Sequence, residues 1–171
     1  IFFGGDVFDT IVDWHVQGEM GEKFGGDVAV GDINGDGYDD LAVSQNNLSS
    51  GDMQFRIYTG GVAVSTIASY ASADIYSTNI SHLFMNGDAN GDMINDLVMI
   101  NVTATGTLDI LLGDGNFNSE LLSYQLPQEA LYPVQCFYTL LDDTYMIAES
   151  SMLDSSLVIL EYVGEDSLIT R

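Results

Sequence analysis

The chain repeats itself, and the period restricts the fold more than any other feature. Three segments superpose: D-L-A-V-S-Q-N-N-L-S-S-G-D-M-Q-F-R-I-Y-T-G-G from Asp40, D-L-V-M-I-N-V-T-A-T-G-T-L-D-I-L-L-G-D-G from Asp96, and Y-M-I-A-E-S-S-M-L-D-S-S-L-V-I-L-E-Y-V-G from Tyr145. Each is an apolar strand, a polar turn, a second strand and a glycine. The glycines Gly60, Gly113 and Gly164 recur at intervals of 53 and 51 residues. A period near 50 means one supersecondary unit per repeat, as in propeller blades or solenoid turns. Apolar spacings of three and four are not sustained anywhere, so no helix is expected. The apolar runs are short, rich in Val, Ile, Tyr, Phe and Thr, and bounded by turn residues, as strands are.

The first full repeat predicts four strands, Asp27 to Gly31, Leu41 to Gln45, Gln54 to Thr59 and Val62 to Tyr70. Four antiparallel strands per repeat describe a propeller blade better than a solenoid turn. The fold class expected is therefore all-β, with β-propeller blades of four antiparallel strands. The divisions are the end of a preceding blade over 1–23, a blade with an aspartate-rich loop over 24–80, a second over 81–133 and a degenerate blade over 134–171. Ile1 to Gly5 matches the tail of the repeat, so about three blades and a half-blade are expected. That is too few to close a ring; either further residues or another chain would have to complete it.

Chemistry concentrates in two turns. D-I-N-G-D-G-Y-D-D-L runs from Asp32 to Leu41, and D-A-N-G-D-M-I-N-D-L from Asp88 to Leu97, 56 residues on. Calcium is a hard cation that takes six to eight oxygens at about 2.3–2.6 Å, and a tight loop presenting alternate residues supplies them from one segment. The first loop offers side-chain oxygens of Asp32, Asn34, Asp36 and Asp40 and the carbonyl of Tyr38. The second offers Asp88, Asn90, Asp92 and Asp96 and the carbonyl of Ile94. Gly35 and Gly37 allow the positive φ angles that wrapping an ion requires. Met93 stands where Gly37 does, which predicts strain and a weaker second site.

An EF-hand would need Glu at the twelfth position and flanking helices. Val43 occupies that position here, inside a strand pattern. One such run alone could be an acidic Asx-turn; two copies one period apart argue for two calcium sites. In the third repeat Asp142 and Asp143 remain, but the loop is too short to encircle an ion. D-G-N-F-N-S-E, Asp114 to Glu120, follows a strand and is expected to be a polar hairpin turn.

With F-G-G-D-V-A-V-G-D-I-N-G-D-G-Y-D-D-L-A-V-S before us, the first repeat resembles the FG-GAP repeat of the integrin α-subunit type, related to the VCBS repeats of bacterial surface proteins. Phe24-Gly25 stands at the FG position and Gly31 to Leu41 at the calcium loop. The resemblance implies a propeller of about seven blades, with calcium loops on one rim and partner contacts on the opposite rim or side. It weakens along the chain: His82, Leu83 and Phe84 stand near the FG position of the second copy, and the third lacks the calcium loop.

Charge narrows the function. The 171 residues carry 26 acidic and three basic side chains, a formal charge of −23 at pH 7. Such a surface repels phosphate backbones and anionic lipid headgroups, which excludes nucleic acid as a partner. No run of roughly 18 apolar residues exists, so no membrane span is expected in this segment. His15 and His82 have no evident catalytic partner, and no nucleophile elbow, phosphate loop or zinc spacing occurs; no enzyme is expected. Cys136 lies in a strand-like run with no second cysteine to pair with, and a buried small hydrophobe is its expected role. N-L-S, N-I-S and N-V-T make Asn47, Asn79 and Asn101 glycosylation acceptors.

The function expected is a calcium-binding extracellular or cell-surface module for protein interaction, adhesion or assembly of a surface structure. Its partners would be other extracellular proteins or glycans, and the rest of its own propeller or a neighbouring subunit. Two alternatives stand beside it: a carbohydrate-binding or polysaccharide-active propeller domain of a secreted enzyme, and a filament subunit assembling through blade completion.

Overall fold

The computed structural model describes residues 1–2, 10–46, 48, 53–72, 80–101, 107–117, 121–125, 132–139, 144–150, 157–162 and 168–170. They form twelve strands and, among the described residues, no helix. The first sheet comprises β1 (Val28–Gly31), β2 (Asp40–Asn46), β3 (Met53–Tyr58) and β4 (Tyr70–Ala71). The second comprises β5 (Ile80–Gly87), β6 (Asp96–Asn101), β7 (Thr107–Leu111) and β8 (Leu121–Gln125). The third comprises β9 (Tyr132–Thr139), β10 (Thr144–Ser150), β11 (Leu157–Tyr162) and β12 (Leu168–Thr170).

In every sheet the spatial order is the chain order, and every pair is antiparallel. The opening strands lie side by side from sheet to sheet, β5 against β1 on one flank and β9 on the other. Four-stranded meanders stacked through their first strands are propeller blades. The three superposed sequence segments are the β2–β3, β6–β7 and β10–β11 hairpins, joined by registers such as Leu41 to Tyr58 and Leu97 to Leu111.

Strand alternation explains the core between the first two blades. Along β3, Met53, Phe55 and Ile57 turn toward the second blade and are buried with Ala29, Ile33 and Ala42. Leu83, Met85, Leu97, Met99 and Leu111 meet them from the second blade. Tyr70 of β4 and Phe117 close the outer end, with ring centroids 5.9 Å apart and near-parallel planes. Phe117 holds a positive φ of 53° in the β7–β8 turn, so the expected polar hairpin also supplies an apolar wedge between blades.

The opposite face of the first blade carries a smaller cluster. Trp14, Val43 and Tyr58 are buried there, with Val16, Phe24, Leu41, Val64 and Ala68 packed around them. Trp14 meets Tyr58 edge-on at 5.4 Å, and Phe24 does so at 6.4 Å. Arg56 lies over the Phe24 ring and 3.9 Å from Glu22. Most of the expected half-blade at Ile1 to Gly5 lies outside the described residues; Ile1 and Phe2 are in no strand.

The expected strand over Val62 to Tyr70 shrinks to Tyr70–Ala71. Gly61, at φ 139°, turns the chain out of the sheet. Val64 and Ala68 then pack over Tyr58, while Val62 and Ile67 face solvent. Packing has overridden the β-propensity of V-A-V-S-T-I, as it does where a run has no ladder partner. β5 opens at Ile80 and β9 at Tyr132. Asn101 ends β6, and Cys136 lies in β9; Asn47, Asn79, Asp142 and Asp143 lie outside the described residues.

Blade contact leaves no room for a side chain at Gly31, where a Cβ would collide with the Met85 carbonyl of β5. Gly31→Ala is expected to destabilise the chain by about 1–3 kcal/mol, the usual scale of overpacking. Gly115→Ala, whose Cβ would sit 3.6 Å from the Asn34 carbonyl, should leave stability nearly unchanged. Paired thermal melts check both.

Candidate metal-binding loops

The β1–β2 and β5–β6 connections are the two aspartate loops, and they fold alike. In the first, the Asp36 N–H donates to Asp32 Oδ1 (3.1 Å) and to Asn34 Oδ1 (2.8 Å), and the Gly37 N–H donates to Asp32 Oδ2 (2.8 Å). Tyr38 N–H donates to Asp36 Oδ1 (2.9 Å), and the Asn34 amide to Asp36 Oδ2 (3.1 Å). In the second, Asp92 N–H donates to Asp88 Oδ1 (3.1 Å) and Asn90 Oδ1 (3.0 Å), and Met93 N–H to Asp88 Oδ2 (2.6 Å). Ile94 N–H and the Asn90 amide likewise donate to Asp92, at 2.9 and 3.0 Å. These are nested Asx-turns, which Asp and Asn favour because their short side chains reach backbone N–H groups two to five residues on.

Backbone geometry matches as well. Gly35 and Gly91 have φ of 73° and 80°, and Gly37 and Met93 have φ of 87° and 70°. The left-handed conformation expected at Met93 is therefore present. Its side chain is wholly exposed, so nothing packs against it to offset the strain that a residue with a Cβ meets there.

Asp40 and Asp96 close the loops from beneath. Asp40 is 1% exposed; its Oδ2 accepts from Ile33 N–H (3.2 Å) and its Oδ1 from Gly60 N–H (2.8 Å). Asp96 is fully buried; its Oδ2 accepts from Ala89 N–H and its Oδ1 from Gly113 N–H (2.7 Å). Each carboxylate thus ties a loop to the glycine that follows the third strand. A Cβ at Gly60 would strike the Asp39 carbonyl, and one at Gly113 the Asn95 carbonyl. That contact accounts for glycine at both positions; Gly164 lies outside the described residues.

Burial pushes the Asp40 carboxyl up, against the two N–H bonds that favour its charge, and nearby Asp36 and Asp32 push the same way. Asp96 rises from 3.8 to about 6 for the same reasons: burial first, opposed by Gly113 and Ala89, with Asp88 and Asp92 adding repulsion.

Among the described residues, no three His, Cys, Asp or Glu side chains are grouped as a metal would require. The loop carboxylates are instead directed at backbone N–H groups. A carboxylate oxygen has two lone-pair sites, and each Asp32 oxygen is used once by the bonds above. The donor set is oxygen only, from three carboxylates, one amide and one carbonyl per loop. It fits a hard divalent cation and is wrong for zinc or copper, which favour nitrogen and sulfur.

The two loops also touch. Asn95 N–H donates to the Asp32 carbonyl (3.0 Å), and Asp32 N–H donates to Asn95 Oδ1 (3.0 Å). Asn95 had no place in the ligand pattern, which addresses alternate positions only. A second cross-blade tie joins Asp27, whose Oδ2 accepts from Leu83 N–H (2.7 Å) and lies 3.6 Å from His82 Nδ1. His82 is thereby a partner of Asp27, a pairing with no local sequence signal.

Comparison with known proteins bears on this region. Residues 24–58 match the FG-GAP repeat. The match spans Phe24-Gly25, β1, the first aspartate loop, β2 and β3, and so supports the FG-GAP family for the first blade. No curated protein matches the chain.

Its raised pKa makes the Asp96 carboxyl a pH-dependent contributor to stability. The fold favours the protonated acid, so its contribution is complete below pH 3.8 and is lost as pH rises through about 6. In chelator, stability should fall across that window, and Asp96→Asn should flatten that part of the profile. Thermal melts from pH 4 to 7 on both proteins measure the difference.

Proposed function

We propose that the chain is a calcium-stabilised propeller module that binds extracellular partners by surface complementarity rather than by turnover. The observation that carries the reading is the pair of loops. Both are built from oxygen donors alone, share one hydrogen-bond pattern, and join the first and second strands of consecutive blades. Asp32, Asn34, Asp36, Tyr38 through its carbonyl and Asp40 would hold one ion. Asp88, Asn90, Asp92, Ile94 through its carbonyl and Asp96 would hold the other. Calcium supplies positive charge to crowded carboxylates and cross-links the two ends of each turn. The chain's own residues keep the turns closed and the blades docked.

Charge gives the ion its leverage. Burial raises the Asp40 and Asp96 carboxyls; a cation beside them would reverse that shift and stabilise the charged form. At a formal charge of −23, the folded chain also gains from any bound cation that relieves self-repulsion. A display role at a cell surface or in secreted material, where calcium is abundant, suits such loops. Strongly acidic faces favour partners with basic patches.

Excess chelator should lower the melting temperature, and calcium restored in excess should recover it. At a calcium concentration about a hundred times the dissociation constant, the gain per site would be about 2.7 kcal/mol. Asp36→Ala is expected to lower the calcium-loaded midpoint more than Asp92→Ala, since Met93 makes the second loop the weaker. Identical melting with and without chelator would overturn the calcium reading.

A further inference from the structure

Resting on that calcium reading, we propose that the two loops are one coupled two-ion unit, and that Asn95, itself no ligand, is the positioning residue that links them. Asn95 stands between Ile94, whose carbonyl would face the second ion, and Asp96, which closes the second loop. Its backbone N–H and side-chain oxygen grip both backbone groups of Asp32, the first ligand position of the neighbouring loop, at 3.0 Å each. The Ile94 side chain lies on Gly35, where a Cβ would stand only 3.1 Å from its Cδ1.

Burial records the same contact. Ile94 and Asn95 are half-buried beneath the first loop, whereas their counterparts Tyr38 and Asp39 are exposed. An ion held by the Ile94 carbonyl and Asp96 fixes the backbone on both sides of Asn95. Asp32 is then already ordered when the first loop takes its own ion, so part of the ordering cost has been met. Coupling free energies are reciprocal: filling the first loop must strengthen the second by the same factor.

The test is calorimetric titration of calcium into the full chain, with a melt in chelator for every variant to confirm folding. Asp92→Asn disables the second loop and isolates the first. Its disabling should weaken the first loop's calcium affinity about fivefold or more, within the usual range of coupling between sites. In an Asn95→Ala background the same change should alter that affinity by less than about twofold. Asn95→Asp keeps an oxygen for the Asp32 N–H and should retain the coupling ratio, a rescue that a loss of general stability would not produce. Should Asn95→Ala fail to fold, Asp92→Asn against the unaltered chain still decides. First-loop affinity indifferent to the second loop, with both loops binding calcium, overturns the coupling and leaves the calcium reading standing. No calcium uptake by either loop of a folded chain overturns both.

Discussion

A buried carboxylate under each turn fastens the two aspartate loops to the sheets of the first two blades. Asp40 joins the Ile33 N–H of its loop to the Gly60 N–H beyond the third strand, and Asp96 does the same for Ala89 and Gly113. A buried charge is costly unless its lone pairs are met. Here both oxygens of each carboxylate receive backbone donors, and those of Ile33 and Gly113 would otherwise be buried without partners. The same contact closes the loop where β2 and β6 begin, and the neighbouring Asp39 and Asn95 carbonyls require glycine just beyond β3 and β7.

From that staple the rest follows in layers. The loops, pinned from below, turn their remaining carboxylates onto their own backbone N–H groups in nested Asx-turns. Gly31 brings β1 against β5, which lets the Phe55 and Met99 faces meet in one continuous core. Tyr70 and Phe117 seal the outer end, and Asn95 joins the loops on the rim. Interior packing and rim chemistry are thus consequences of one repeated unit used twice in register.

Much of this was legible in the chain itself. The period, the strand–turn–strand–glycine units and the two D-x-N-x-D runs depend on local composition, so β1, β2, β3 and both loops stand within a residue or two of where they were expected. Positive φ at Met93 could be read from its alignment with Gly37. Other features depend on which residues meet across blades, and no local pattern encodes that. Val62 to Ala68 include strand-forming side chains but join no sheet. Asn95 occupies a position between two expected ligands. Phe117 looks like part of a polar hairpin, and His82 finds Asp27 only after two sheets stack. The reason for glycine at Gly60 and Gly113 lies in the Asp39 and Asn95 carbonyls packed against them, contacts that no local pattern encodes.

Amide hydrogen exchange at Gly60 and Gly113 tests the central claim most directly. If the buried aspartates hold these N–H groups, both should exchange as slowly as the amides of β2 and β6, opening only with global unfolding. Exchange at the rate of exposed turn amides, in a chain whose strands remain protected, would contradict the account.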